Sequence, residues 1–115
     1  MHELSLIQAL FAEVEAQLAP HAGATVLALH VRVGELAGVD PELFRSAYEV
    51  CRSGGRLAKA ELELLFEPAE WKCSACQLDI ARGSVLACFS CGAPARLARG
   101  GGIFLDRIEA EIHHV

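Results

Sequence analysis

Residues 73–91 read CSACQLDIARGSVLACFSC, two CxxC pairs held apart by an eleven-residue loop. Two residues between cysteines let one tight knuckle aim Cys73 and Cys76 at a single ion. A second knuckle carrying Cys88 and Cys91 then closes a tetrahedron at Zn–S distances of about 2.3 Å. Gly92 directly follows the second pair, where a backbone turning its N–H groups back toward sulfur needs conformational freedom. Thiolates in a tetrahedron favour Zn²⁺, with iron as the main competitor. Four protein ligands leave no open position, so the predicted site is structural and not catalytic. The rivals are a rubredoxin-like iron site and a redox pair, and the second would need a βαβ setting around one CxxC. The region from Pro68 to Gly100 has few long apolar runs. A module of roughly 33 residues lies below the ~40 at which a core alone holds a fold, so it depends on its metal.

Outward from this module the periodicity changes. Leu4, Ile7, Phe11, Val14 and Leu18 recur at helical spacing, and Pro20 with Gly23 ends the run. From Thr25 to Val33 the period is two, with Leu27, Leu29, Val31 and Val33 on one face and Val26, Ala28, His30 and Arg32 on the other. Asp40-Pro41 announces a second helix, Asp40 as N-cap and Pro41 at the first helical position. Its predicted buried stripe is Leu43, Phe44, Ala47, Val50 and Cys51, with Gly54-Gly55 as the stop. Leu62, Leu64 and Phe66 alternate with Glu61, Glu63 and Glu67 before Pro68 closes that strand. Beyond Gly100-Gly101-Gly102, Ile108, Ala110 and Ile112 alternate with Arg107, Glu109 and Glu111 in a last strand. The expected class is α+β: two helices and a three-stranded sheet formed by residues 1–67 plus 101–115. A zinc-ribbon or rubredoxin-like four-cysteine module, residues 68–100, is inserted before the final strand. Trp71 is expected at the seam between the two, and Cys51 in the core.

The 115 residues are 53% hydrophobic, enough for a real core and too apolar for general disorder. A formal charge of −5 argues against a phosphate-binding face. Lys72, Arg82, Arg96 and Arg99 tint the module basic, but Glu70 and Asp79 interrupt them and no aromatic residues interleave. A zinc-ribbon transcription or protein-interaction adaptor is therefore the weaker alternative. No run approaches the ~20 apolar residues of a membrane span. Five cysteines, four of them paired for metal, fit a reducing compartment, read as the cytoplasm. No nucleophile–base pair points to an enzyme.

Met1-His2-Glu3 is the second place for metal chemistry. A free α-amine, the backbone nitrogen of His2 and its imidazole can chelate one ion through fused five- and six-membered rings. Nitrogen donors in a near-planar set suit Ni²⁺ or Cu²⁺ and suit tetrahedral Zn²⁺ poorly. Glu3 equally serves the positive end of the first helix, and His30, His113 and His114 read as surface residues.

The opening Met1-His2-Glu3-Leu4-Ser5-Leu6 resembles the start of the HypA/HybF family of hydrogenase nickel-incorporation proteins. Val33-Gly34-Glu35-Leu36-Ala37-Gly38-Val39-Asp40-Pro41-Glu42-Leu43 is similar to that family as well. The helix through Phe44 and Tyr48, the paired CxxC motifs and the Ile103–Glu111 strand follow in the family's order. The resemblance implies a nickel metallochaperone, not a catalyst, with Ni²⁺ as cargo and Zn²⁺ as a structural cofactor. It implies His2 as the principal nickel ligand, supported by the Met1 amine and Glu3, and Cys73, Cys76, Cys88 and Cys91 as zinc ligands. The implied partners are a HypB-type GTPase and the large subunit of [NiFe]-hydrogenase, with urease accessory proteins where a member serves urease. The protein itself would be a monomer or a weak homodimer, with neither nucleic acid nor membrane as partner. No histidine lies between Pro68 and Gly102, so a relay through a histidine beside the cysteines has no residue to use.

Overall fold

Ala, Leu, Glu and Gln dominate the first seventeen residues, and in the computed structural model they form helix α1, His2–Gln17. The structure describes residues 2–113, with His2 described by its backbone alone. A 3₁₀ turn, Ala19–His21, reverses the chain into strand β1, Thr25–Gly34. A second 3₁₀ turn, Glu35–Ala37, leads to helix α2, Pro41–Cys51. Strand β2 is Glu61–Glu67, β3 Glu70–Cys73, β4 Asp79–Ile80, β5 Ala95–Arg99 and β6 Ile103–Glu111. Asp40 caps α2 as its side chain predicts, accepting from the N–H groups of Glu42 at 2.9 Å and Leu43 at 3.4 Å.

The strands form two three-stranded sheets, β2-β1-β6 and β4-β3-β5. Strand β1 is central to the first, parallel to β2 and antiparallel to β6. A parallel neighbour requires a crossover, and α2 supplies it. Both helices cover one face of this sheet. Ile7, Leu10, Val14 and Leu18 of the first helical run meet Val26, Leu29, Val31 and Val33 of β1 and Phe44 and Tyr48 of α2 in a single core. Phe11 and Tyr48 pack edge to face with ring centroids 5.8 Å apart, and the Tyr48 hydroxyl donates to the buried Ala60 carbonyl at 2.8 Å.

Four periodic expectations shift by a residue or more. Val26 replaces Leu27 on the buried face, because the β1–β6 register slips between Val26 and Ala28 and the resulting bulge turns Leu27 outward. On α1 the core residue beside Ile7 is Leu10, and Leu4 is exposed. The α2 stripe is Phe44, Ala47, Tyr48 and Cys51, whereas Leu43 and Val50 face solvent at 54% and 77% exposure. At the end of β2 the alternation inverts: Phe66 is exposed and Glu67 is 6% exposed.

Burial of Glu67 follows from what surrounds it where the second sheet leaves the first. Its carboxylate accepts from Arg32 at 2.9 Å, from Arg99 at 3.1 Å and from the N–H of Gly100 at 2.8 Å. Arg32 in turn forks onto Asp106, with both contacts at 3.2 Å, and lies over the Phe104 ring. These donors, Arg32 first, hold the Glu67 carboxyl below its ordinary range.

The corrected stripe on α2 is directly testable. Phe44→Ala empties a fully buried site and should cost about 3–5 kcal/mol, whereas Leu43→Ala and Val50→Ala should each stay within about 0.5 kcal/mol. Urea denaturation followed by far-UV circular dichroism reads all three.

Candidate metal centre

Each CxxC pair is built as the same knuckle. In the first, the N–H of Gln77 donates to the Cys73 carbonyl at 3.2 Å and the N–H of Cys73 donates to the Leu78 carbonyl at 2.8 Å. In the second, the N–H of Gly92 donates to the Cys88 carbonyl at 2.9 Å and the N–H of Cys88 to the Ala93 carbonyl at 2.8 Å. The residue after each second cysteine must take left-handed backbone angles to close this turn. Gly92 does so at φ 74° and Gln77 at φ 66°. Glycine is the residue that adopts this conformation without strain; glutamine is not.

The knuckles bring four sulfurs together, all within 4.8 Å of one another. Cys73 and Cys91 are 3.5 Å apart, Cys76 and Cys88 3.6 Å, and Cys76 and Cys91 4.0 Å. A tetrahedron with metal–sulfur bonds of about 2.3 Å has edges of about 3.8 Å, so the donor set fits one tetrahedral ion. The same distances are far beyond a disulfide's ~2.05 Å, and all four cysteines are free. Cys73 and Cys88 are buried and form with Ile80 the small apolar centre of this sheet. Trp71 packs against that centre, with Ala93 and Ala95 beside it. So little apolar burial makes the ion the main source of cohesion here.

Backbone N–H groups sort the thiols into two kinds. The N–H of Cys76, helped by that of Ala75, holds the Cys73 thiol down to about 6. The N–H groups of Cys91 and Ser90 likewise hold Cys88 below its ordinary value. The N–H of Leu78 favours the Cys76 thiolate, yet Cys73, burial and the other two sulfurs together push Cys76 up to about 12. Cys91 is raised in the same way, its N–H from Ala93 outweighed by Cys73, burial and Cys88. The first cysteine of each knuckle is thus the more acidic of its pair.

The other candidates are separate from this cage. Met1 and the side chain of His2 lie outside the described residues, and so does His114; Glu3 stands half-buried in the first turn of α1. His30, on the sheet face away from the helices, is bonded to Glu109 at 3.0 Å and Arg107 at 3.1 Å. His113 meets the Thr25 hydroxyl at 2.8 Å. Sequence reasoning missed Glu35 and Glu67. Glu35 holds the N–H of Ala69 at 2.8 Å and an Arg82 guanidinium nitrogen at 2.7 Å. Their partners lie some thirty to fifty residues away, so no local pattern marks them.

Comparison with known proteins agrees with this arrangement. The family model described as hydrogenase/urease nickel incorporation, metallochaperone, hypA matches residues 1–110. The hydrogenase maturation factor HypA of Deinococcus radiodurans is 38% identical over 104 residues, covering 87% of this chain and 85% of that protein. The HypA of Roseiflexus sp. (strain RS-1) is 35% identical over 115 residues, covering 96% and 93%. The solution structure of the Ni metallochaperone HypA from Helicobacter pylori superposes with a TM-score of 0.69 at 24% identity, covering 93% of this chain and 95% of that one. At that identity the superposition speaks for the fold.

The two knuckles differ at one residue, which yields a paired prediction. Nothing lies within 4 Å of a side chain added at Gly92, so Gly92→Ala should cost about 1–2 kcal/mol through backbone angles alone. Gln77→Gly relieves the same conformation, and its effect should be smaller and of opposite sign. Competition for Zn²⁺ with a chromophoric chelator should show about tenfold weaker binding for the first variant and no loss for the second. Binding should weaken as pH falls from 8 to 6 in both, because protons compete for the raised thiols.

Proposed function

We propose that this chain, which belongs to the HypA family of hydrogenase/urease nickel-incorporation metallochaperones, carries Ni²⁺ at its N-terminus and hands it to the large subunit of a [NiFe]-hydrogenase. The family consists of metallochaperones and maturation factors, not enzymes. In this reading residues 1–67 plus 101–115 form the nickel-binding domain, and residues 68–100 form a zinc-binding domain. His2 provides the main ligands, through imidazole and backbone nitrogen, and the Met1 amine and Glu3 complete or support the site. Cys73, Cys76, Cys88 and Cys91 hold a structural Zn²⁺. A HypB-type GTPase is the working partner and the cytoplasm the compartment; among the described residues no helix is long and apolar enough to cross a membrane.

One observation carries the division of labour. Four sulfurs within 4.8 Å of one another satisfy a tetrahedral ion completely and leave no coordination position for a recipient protein's ligand. Cargo held that way is difficult to surrender. The proposed terminal set supplies few ligands and leaves coordination positions unfilled, so ligand exchange there is easy. Soft sulfur suits zinc and the terminal nitrogens suit nickel, which separates the two metals by donor chemistry. Copper would compete at the nitrogens, so selectivity for nickel comes from availability and docking.

Calorimetric titration of untagged, zinc-loaded protein with Ni²⁺ tests this reading. One equivalent should bind, and His2→Ala should abolish that binding while zinc content stays at one per chain. Nickel binding that survives His2→Ala, or salt-sensitive binding of DNA, would turn the assignment toward an adaptor role.

A further inference from the structure

Gly100-Gly101-Gly102 has the composition of a flexible tether, but the junction it belongs to is interlocked. The chain passes from the first sheet to the second through Pro68-Ala69 and returns through this triplet, and both crossings are bonded to the end of β1. The N–H of Gly34 donates to the Gly102 carbonyl and that of Leu36 to the Gly100 carbonyl, each at 2.8 Å. A Cβ placed on Gly34 would lie 2.3 Å from the Gly100 carbonyl carbon, and one on Gly100 would lie 2.7 Å from the Ala69 Cα. These glycines serve close approach, not freedom of movement.

We propose that Glu35 and Glu67 are positioning residues whose carboxylates hold the cysteine-bearing sheet in one orientation at the end of the helix-covered sheet. The two have the same design. Glu35 takes the N–H of Ala69 on the outgoing crossing and the guanidinium of Arg82 from the loop that follows β4. Glu67 takes the N–H of Gly100 on the returning crossing and the guanidinium of Arg99 from the end of β5. Each carboxylate therefore fixes one crossing and one arginine of the second sheet. Glu67 is further anchored by Arg32 of β1. Arg82 and the Ala69 N–H keep Glu35 ionised, its carboxyl held down to about 2.

The orientation bears on metal handling because of where α1 begins. Leu18 and Thr25 are joined by a short turn, and Ile7, Leu10, Val14 and Leu18 all lie in the core under β1. The helix therefore runs back along the sheet, and its first turn lies toward the Gly34 end, where the junction is. The clamp fixes how the cysteine cage is presented relative to the helix-covered sheet. This purpose rests on the two-site reading above; the clamp itself does not.

Residual dipolar couplings of the zinc-loaded full chain test the clamp without nickel. In the wild type one alignment tensor should fit both sheets. In Glu35→Ala and Glu67→Ala the β4-β3-β5 couplings should shrink about twofold or more and require their own tensor, with zinc retained. Arg82→Ala, whose side chain is 64% exposed and supports no core, should loosen the second sheet in the same direction if the Glu67 variant fails to fold. A wild type that already needs two tensors, or folded Glu35→Ala and Arg82→Ala variants that keep one, would overturn the proposal. His2→Ala should leave the couplings of both sheets unchanged, so a failed nickel site and a failed clamp are distinguishable.

Discussion

Four thiolates at tetrahedral spacing repel one another and cohere only around a cation, and the second sheet of this protein is organised by that necessity. Its apolar centre is Cys73, Ile80 and Cys88 with Trp71 and two alanines against them. Burial on this scale offsets little of the roughly 1–2 kcal/mol per residue lost in ordering the backbone. A structural zinc site contributes on the order of 10–16 kcal/mol at neutral pH in small peptides, which is the scale this module requires. The backbone cooperates: knuckle N–H groups favour the ionised forms of Cys73 and Cys88. A cage that must stay filled for its sheet to stay folded is a poor vehicle for cargo. Under the proposed assignment, that physical conflict separates structure from delivery within one chain.

What links the two sheets is the end of β1. The strand is buried in the middle of the first sheet, and its last residue, Gly34, with Glu35 and Leu36 of the turn that follows, receives both crossings to the second. Val33-Gly34-Glu35-Leu36 carries part of the family resemblance, and its chemistry accounts for each residue type. Val33 fills the core, Gly34 admits the Gly100 backbone, Glu35 takes Ala69 and Arg82, and the Leu36 N–H binds the returning crossing. This short segment is the point where two sheets are held together.

The order of elements, the N-cap at Asp40 and the convergence of the cysteines were legible in the sequence because each depends on neighbours within a few residues. Spacing alone aims two sulfurs at one point, and Asp-Pro before an apolar run starts a helix. The errors lie where distant partners decide. Glu67 continued an alternation that placed it in solvent, but Arg32 and Arg99 draw it inward and leave Phe66 outside. Leu27 fell out of phase through a bulge created by pairing with β6. Val50 fitted a helical stripe whose true direction is set by Phe44 and Tyr48 against the sheet. The nickel ligands proposed at the chain start drew on donor chemistry as well as on resemblance, since three residues carry no periodicity.

X-ray absorption at both metal edges of protein loaded with one Zn²⁺ and one Ni²⁺ tests the separation of sites most directly. The expected result is a zinc shell of four sulfurs at about 2.3 Å and a nickel shell of nitrogen and oxygen with no sulfur. Sulfur in the nickel shell, or zinc coordinated by nitrogen, would contradict it.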